Sequence, residues 1–180
     1  MRILLSLAAA LAFPMWAQFE EQVGDVPYVP TPPEVVEQMM KLGQVKPGDV
    51  IYDLGCGDGR LVITAIKKHG AVKGVGIDIN PVRVKEANEN ATKEGVSAKA
   101  KFIEQDLFKA NFSEATVVTL YLLPEVNLRL KPILLKQLKP GTRIVSHQFD
   151  MGEWKPEKTV EIEWRRVHMW TVPPKGTVVK

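Results

Sequence analysis

Residues 51–60 read IYDLGCGDGR. Gly55, Gly57 and Gly59 alternate with single residues, and Asp53 stands two places ahead of the first glycine. Glycines at such spacing let a backbone turn through positive φ and approach a ligand closely. Asp78 closes a second apolar run, KGVGID, and Asp106 follows a third run, AKFIE. One loop aspartate would carry little meaning. Three of them, each at the end of a successive strand-like run, can converge on a ligand. The dinucleotide fingerprint needs G-x-G-x-x-G, with an acid about twenty residues later. Here the spacing is G-x-G-x-G and position 60 is Arg. Asp53 would also repel a pyrophosphate. The set suits a ligand with a cationic end, hydroxyls and no phosphate.

Three further residues could act on a substrate. Glu125 and Asn127 follow the run 116–122, and His147 closes the run 143–147. Glu125 or Asn127 could hold a flexible amine, and His147 could be a base. Each side has a plainer alternative: Glu125 as a carboxylate that favours a helix amino terminus, and His147 as a buried structural histidine. Cys56 reads as a small filler inside the glycine loop. No Cys/His grouping has metal-ligand spacing, so no metal is expected.

The elements that would position these residues follow from periodicity and punctuation. Thr31 can cap a helix that begins with Pro32 and Pro33, carries Val35, Val36, Met39, Met40 and Leu42 at helical spacing, and ends at Gly43. Residues 50–54, 73–78, 100–104, 116–122 and 143–147 read as strands, with helices over about 60–69 and 81–94. Residues 124–138 are helical in pattern, but Pro132 is expected to kink or split that helix. Residues 160–164 and 167–172 read as a closing pair of strands. Strands alternating with helices predict an α/β fold, a single Rossmann-like domain whose mostly parallel seven-stranded sheet ends in an antiparallel hairpin. Ligands in such sheets bind beyond the carboxyl ends of the strands, where Asp53, Asp78 and Asp106 stand.

S-adenosylmethionine has the required features: an ammonium group, a ribose diol, an adenine and no phosphate. Asp53 can accept from the ammonium group, directly or through water. Asp78 can take both ribose hydroxyls, and Asp106 or its neighbouring backbone can accept from the adenine amine. The motifs DLGCGDG, GIDIN, EQDLF and LKPGTRIV occur in order between residues 45 and 147. In that order they resemble the seven-strand, class I S-adenosylmethionine-dependent methyltransferases, which implies a methyltransferase fold and activity. Outside those motifs, VPYVPT (26–31), Leu122-Leu123-Pro124, Asn127 and SHQF (146–149) with Trp154 resemble a narrower group. These are the lysine methyltransferases of the ATP synthase c subunit and the adenine nucleotide carrier, with their prokaryotic relatives. The resemblance implies a protein-lysine acceptor, and it implies that Tyr28 and Thr31 lie over the cofactor's methionyl end. Tyr28 could equally be a packed anchor of the amino-terminal arm. Methyltransferases of the exocyclic amines of bases, or of glutamine, often carry N-P-P-Y after strand four. This chain has LYLLPE there.

Composition bounds the rest. The chain has 180 residues, enough for one domain, and a formal net charge of +3 with no basic run longer than two residues. Charge therefore gives nucleic acid no support as a partner. One cysteine excludes an internal disulfide. Residues 1–17 open with Arg2 and an apolar run, ILLSLAAALAF, as a signal peptide does. The alternatives are an uncleaved membrane anchor or an apolar tail packed on the domain. Residues 18–44 read as an arm and helix, and residues 45–180 as the catalytic domain. The expectation is an exported or membrane-anchored monomer, the alternative being cytoplasmic. Its partner is expected to be a protein, one class being membrane proteins, or else a small molecule. The rival functions are a small-molecule or lipid-headgroup methyltransferase and a non-catalytic cofactor-binding protein.

Overall fold

The computed structural model describes residues 24–179. The leader over residues 1–17 lies outside them. The described chain runs α1 (Pro33–Leu42), β1 (Val50–Leu54), α2 (Arg60–His69), β2 (Lys73–Asp78), α3 (Pro81–Lys93), β3 (Ala100–Glu104), β4 (Val117–Leu120), α4 (Pro124–Gln137), β5 (Arg143–His147), β6 (Lys158–Ile162) and β7 (Arg165–Thr171). The seven strands form one sheet in the order β3-β2-β1-β4-β5-β7-β6. β1 to β5 are parallel, and β7 pairs antiparallel with both β5 and β6. This is the α/β architecture that the alternating pattern predicts. The sheet is covered on both faces. α1, α2 and α3 bury residues such as Met39, Val62 and Ala87 on one face. α4 buries Val126, Leu130 and Leu134 on the other.

Several local expectations change. The N-cap position of α1 is Pro32, and no side chain caps the helix. Thr31 points its hydroxyl elsewhere, as described below. Pro132 does not split α4, which runs unbroken through it. Pro132 and Leu128, the residue one turn before it, are both exposed. The carbonyl left without its partner therefore lies on the solvent side, where a helix tolerates the loss. β4 is shorter than 116–122. At its start, Thr116 spends its hydroxyl on its neighbours, accepting from Val50 N at 2.9 Å and donating to Asp49 at 2.7 Å. At its end, Tyr121 and Leu122 leave the sheet. The closing hairpin turns at Glu163, which has φ 55°, and Trp164, which is 71% exposed, not packed in the sheet. Trp170 is fully buried.

One ion pair ties the amino ends of the strands together. Arg143, at the start of β5, pairs with the buried carboxylate of Asp49 just ahead of β1. Its guanidinium also donates to the carbonyls of Gly43 at 2.8 Å and Gln44 at 2.7 Å. Removing one partner of such a pair leaves a buried charge uncompensated, which costs more than the pair contributes. Arg143→Met is therefore expected to lower the unfolding free energy by about 3 kcal/mol, read from urea denaturation. The cofactor affinity of the folded fraction should stay unchanged, because this end of the sheet is opposite the site.

Candidate active site

A cavity of about 500 Å³ opens beyond the carboxyl ends of the parallel strands. Its floor is the loop after β1. Gly55, Gly57 and Gly59 all have positive φ, at 82°, 52° and 81°. The amides of Gly55 and Cys56 donate to the carbonyl of Ile77 at 2.8 and 3.0 Å, which ties the turn to β2. A Cβ on Gly57 would sit 2.6 Å from the ring of Tyr28, so the arm lies directly on this glycine. Gly59 does different work. Its Cβ would collide with Phe102 and touch Ala87, and it starts α2 outside the cavity wall. It is a packing glycine, not a lining one.

The three aspartates line the cavity together with Tyr28, Thr31, Gly55 and Gly57. Asp78 accepts from Gly57 N at 2.8 Å and from Asn80 N at 2.9 Å, so the β2 carboxylate and the glycine loop fix each other. Asp106 accepts from Phe108 N at 2.9 Å within its own turn. Asp53 is 1% exposed. One carboxylate oxygen accepts from the Thr119 hydroxyl at 2.7 Å, and the other, Oδ2, has no hydrogen-bond partner. Burial pushes the Asp53 carboxyl up to about 8. The Thr119 hydrogen bond opposes this, and the nearby Asp78 and Asp58 carboxylates add to it. A buried, unmatched acceptor in a cavity wall fits a bound cation, and an ammonium group supplies both the charge and the missing donor.

The arm, residues 24–31, closes one side of the cavity. Arg60 holds it by donating to the Thr31 carbonyl at 2.8 Å while gripping Asp58 through Nε at 2.9 Å. Arg83 lies 4.5 Å over the Tyr28 ring, and Asp25 pairs with Arg129 of α4 at 3.0 Å. The Thr31 hydroxyl lies 3.2 Å from His147 Nδ1.

The three candidate catalytic residues do not line the cavity. Glu125 is exposed in the first turn of α4. Asn127 is fully buried, and its side-chain amide donates to the carbonyls of Phe149 at 3.3 Å and Asp150 at 3.2 Å. It therefore clamps the loop after β5. His147 is 1% exposed, and burial, helped by the Arg165 charge, lowers its pKa to about 4. It is therefore uncharged near neutral pH, and it is not among the residues that line the cavity. Residues without a role in the sequence reading include Thr119, Arg60, Arg83 and Arg129. Thr119 had a signal: it is the one polar residue in VVTL, and it sits in register with Asp53. The three arginines had none, since their partners on the arm become neighbours only in the fold. Among the described residues no cluster could hold a metal ion.

Comparison with known proteins agrees with this geometry. The ANTKMT methyltransferase domain model matches residues 53–158. A protein-lysine N-methyltransferase of Saccharolobus islandicus is 49% identical over 141 residues, covering 78% of this chain and 88% of that protein. The human lysine N-methyltransferase of the ATP synthase c subunit is 33% identical over 132 residues, which are 73% of this chain and only 55% of that protein. A solved structure described as an RNA methyltransferase from Salinibacter ruber, in complex with S-adenosyl-L-homocysteine, is 56% identical. It superposes with a TM-score of 0.79 over 81% of this chain and 94% of that one. The fold and the site thus define an S-adenosylmethionine-dependent methyltransferase. Within that class the chain belongs to the ANTKMT methyltransferase domain family.

Asp53 makes this site sensitive to pH in a stated direction. Its folded pKa lies above the ordinary carboxylate value, so the ligand-free fold keeps a proton that the unfolded chain has lost. Its contribution to stability is therefore full below about pH 4 and is lost as pH rises through about 8. Binding S-adenosylhomocysteine at pH 7 should release roughly one proton, read by calorimetry in buffers of different ionisation enthalpy. Asp53→Asn should abolish that release and weaken binding about 100-fold.

Proposed function

We propose that the enzyme methylates the Nε of lysine in a protein. When bound, S-adenosylmethionine supplies a methyl group activated by a sulfonium. The chain's own residues bind, orient and keep water out. Asp53 receives the ammonium end and Asp78 the ribose hydroxyls, with Asp106 and its turn beside the adenine. The observation that carries the lysine reading is the wall beyond Asp53. Tyr121 and Leu122 follow β4 there, Tyr28 also lines the cavity, and no N-P-P-Y motif is present to orient a planar amide. A lysine must be neutral to attack, and deprotonation at pH 7 costs about 4–5 kcal/mol in water. An apolar, aromatic channel lowers that cost by disfavouring the charged form. It also tolerates the cations on either side of the transfer. The activities named for the archaeal and human relatives agree with this reading.

RNA is the second reading, because the Salinibacter ruber neighbour is described as an RNA methyltransferase. The mouth argues against it. Arg60 is committed to Asp58 and Arg129 to Asp25, and the net charge is only +3. A membrane-borne protein suits the mouth better. Val29 and Ile79 line it and are exposed, and the leader would hold the domain at a membrane or export it. No helix among the described residues is long and apolar enough to cross a membrane.

Incubation with methyl-labelled S-adenosylmethionine and a membrane-protein extract is expected to yield Nε-methyl-lysine in acid hydrolysates. Label in nucleotides after the same incubation with total RNA, and none in protein, would contradict the lysine reading.

A further inference from the structure

The strand order divides the cavity. Asp78 and Asp106 stand at the ends of β2 and β3, on one side of Asp53, and Tyr121 and His147 stand at the ends of β4 and β5, on the other. The acids that suit ammonium, ribose and adenine thus occupy β1 to β3. The acceptor is left the β4–β5 side. Thr31 reaches that side from the arm. It lines the cavity while its hydroxyl meets His147 Nδ1 at 3.2 Å. The imidazole also packs against the ring of Tyr121, with centroids 3.9 Å apart, and Tyr121 is itself a lining residue. Phe149 stacks with Tyr121 at 6.5 Å. The loop that carries Phe149 is held from beneath by the Ser146 hydroxyl at 2.7 Å and by Asn127.

His147 is thus a buried ring with two contacts, and both of its partners are cavity-wall groups from different elements. A histidine there only to fill space would need neither. We propose that Thr31 binds the incoming amine through its hydroxyl, and that His147 is a positioning residue that sets both that hydroxyl and the Tyr121 ring. This rests on the lysine reading for the nature of the acceptor, but it moves Thr31 from the cofactor side to the acceptor side. His147 does this as the neutral imidazole. Burial and Arg165 of β7 keep it uncharged, so it offers the hydroxyl a fixed partner across the working pH range and takes no proton from substrate. Tying the arm to β5 also makes the acceptor wall depend on the arm being in place, so a substrate meets a finished channel only on a closed site.

The test uses the full chain and four variants, Thr31→Val, Thr31→Ser, His147→Leu and His147→Asn. Calorimetry with S-adenosylhomocysteine reports the cofactor half. Initial rates of label transfer into the membrane-protein extract, at saturating S-adenosylmethionine and varied extract, report the acceptor half. Thr31→Val and His147→Leu should each raise the apparent acceptor KM roughly tenfold. Cofactor affinity should stay within about twofold. Thr31→Ser and His147→Asn, which keep a hydroxyl and a polar atom near Nδ1, should recover most of the loss. The double variant Thr31→Val/His147→Leu should lose little beyond either single change, because both remove one contact. A tenfold loss of S-adenosylhomocysteine affinity with an unchanged acceptor KM would overturn the proposal and return Thr31 to the cofactor. Equal losses in Thr31→Ser and Thr31→Val would also overturn it, since the hydroxyl would then be irrelevant. Hydrolysis of the wild-type product keeps the two readings apart. Label on an atom other than lysine Nε defeats the lysine acceptor, while the variants still judge the pair.

Discussion

The site depends on a carboxylate with one oxygen satisfied and one left open. Asp53 stands within β1, where its Oδ1 meets the Thr119 hydroxyl of β4 and its Oδ2 has no hydrogen-bond partner. A buried acidic group in this state is held at about 8, so near neutral pH the ligand-free site favours a proton that a cationic ligand can replace. The rest of the cavity follows from that placement. The glycine loop keeps side chains away from the open oxygen. Asp78 anchors the loop through Gly57 N at 2.8 Å, and the arm lays Tyr28 over the same glycine. Such a wall suits a ligand with an ammonium end and no pyrophosphate.

The arm completes what the sheet begins. It is short and proline-bearing, and it is held at several points by partners from four elements: Arg60 of α2, Arg83 of α3, Arg129 of α4 and His147 of β5. Of the three arginines, Arg129 is exposed and Arg60 about one-third exposed, so their individual contributions are small, while Arg83 is mostly buried. The fourth is a buried histidine. The arm is thus tethered along its length and again at Thr31, next to the point where α1 begins.

The sheet and the gathering of the three aspartates at one cavity were legible in the sequence because both are local. Short apolar runs end in turn residues, and each acid lies within two residues of the end of its strand. Asp53, Asp78 and Asp106 needed only strand positions to be brought together. The proposed acceptor half was not legible, since it depends on helix phase and on long-range contacts. Glu125 and Asn127 are two residues apart on α4, yet one faces solvent and the other is fully buried. Thr31 looked like a helix cap because a proline pair follows it, and only the fold brings it to His147, 116 residues away. Pro132 misled for the converse reason. A local rule predicts a break, but the lost bond faces water.

The central claim is that Asp53 carries a proton in the empty site and gives it up to a cationic ligand. Carbon-detected NMR of the protein with labelled aspartate carboxyls measures this directly. Without cofactor, one carboxyl resonance, assigned through its loss in Asp53→Asn, should titrate near 8. With S-adenosylhomocysteine it should stay ionised through that range. A resonance that titrates near 4 in the ligand-free protein, as an ordinary carboxylate does, or one that the ligand leaves unchanged, would contradict the account.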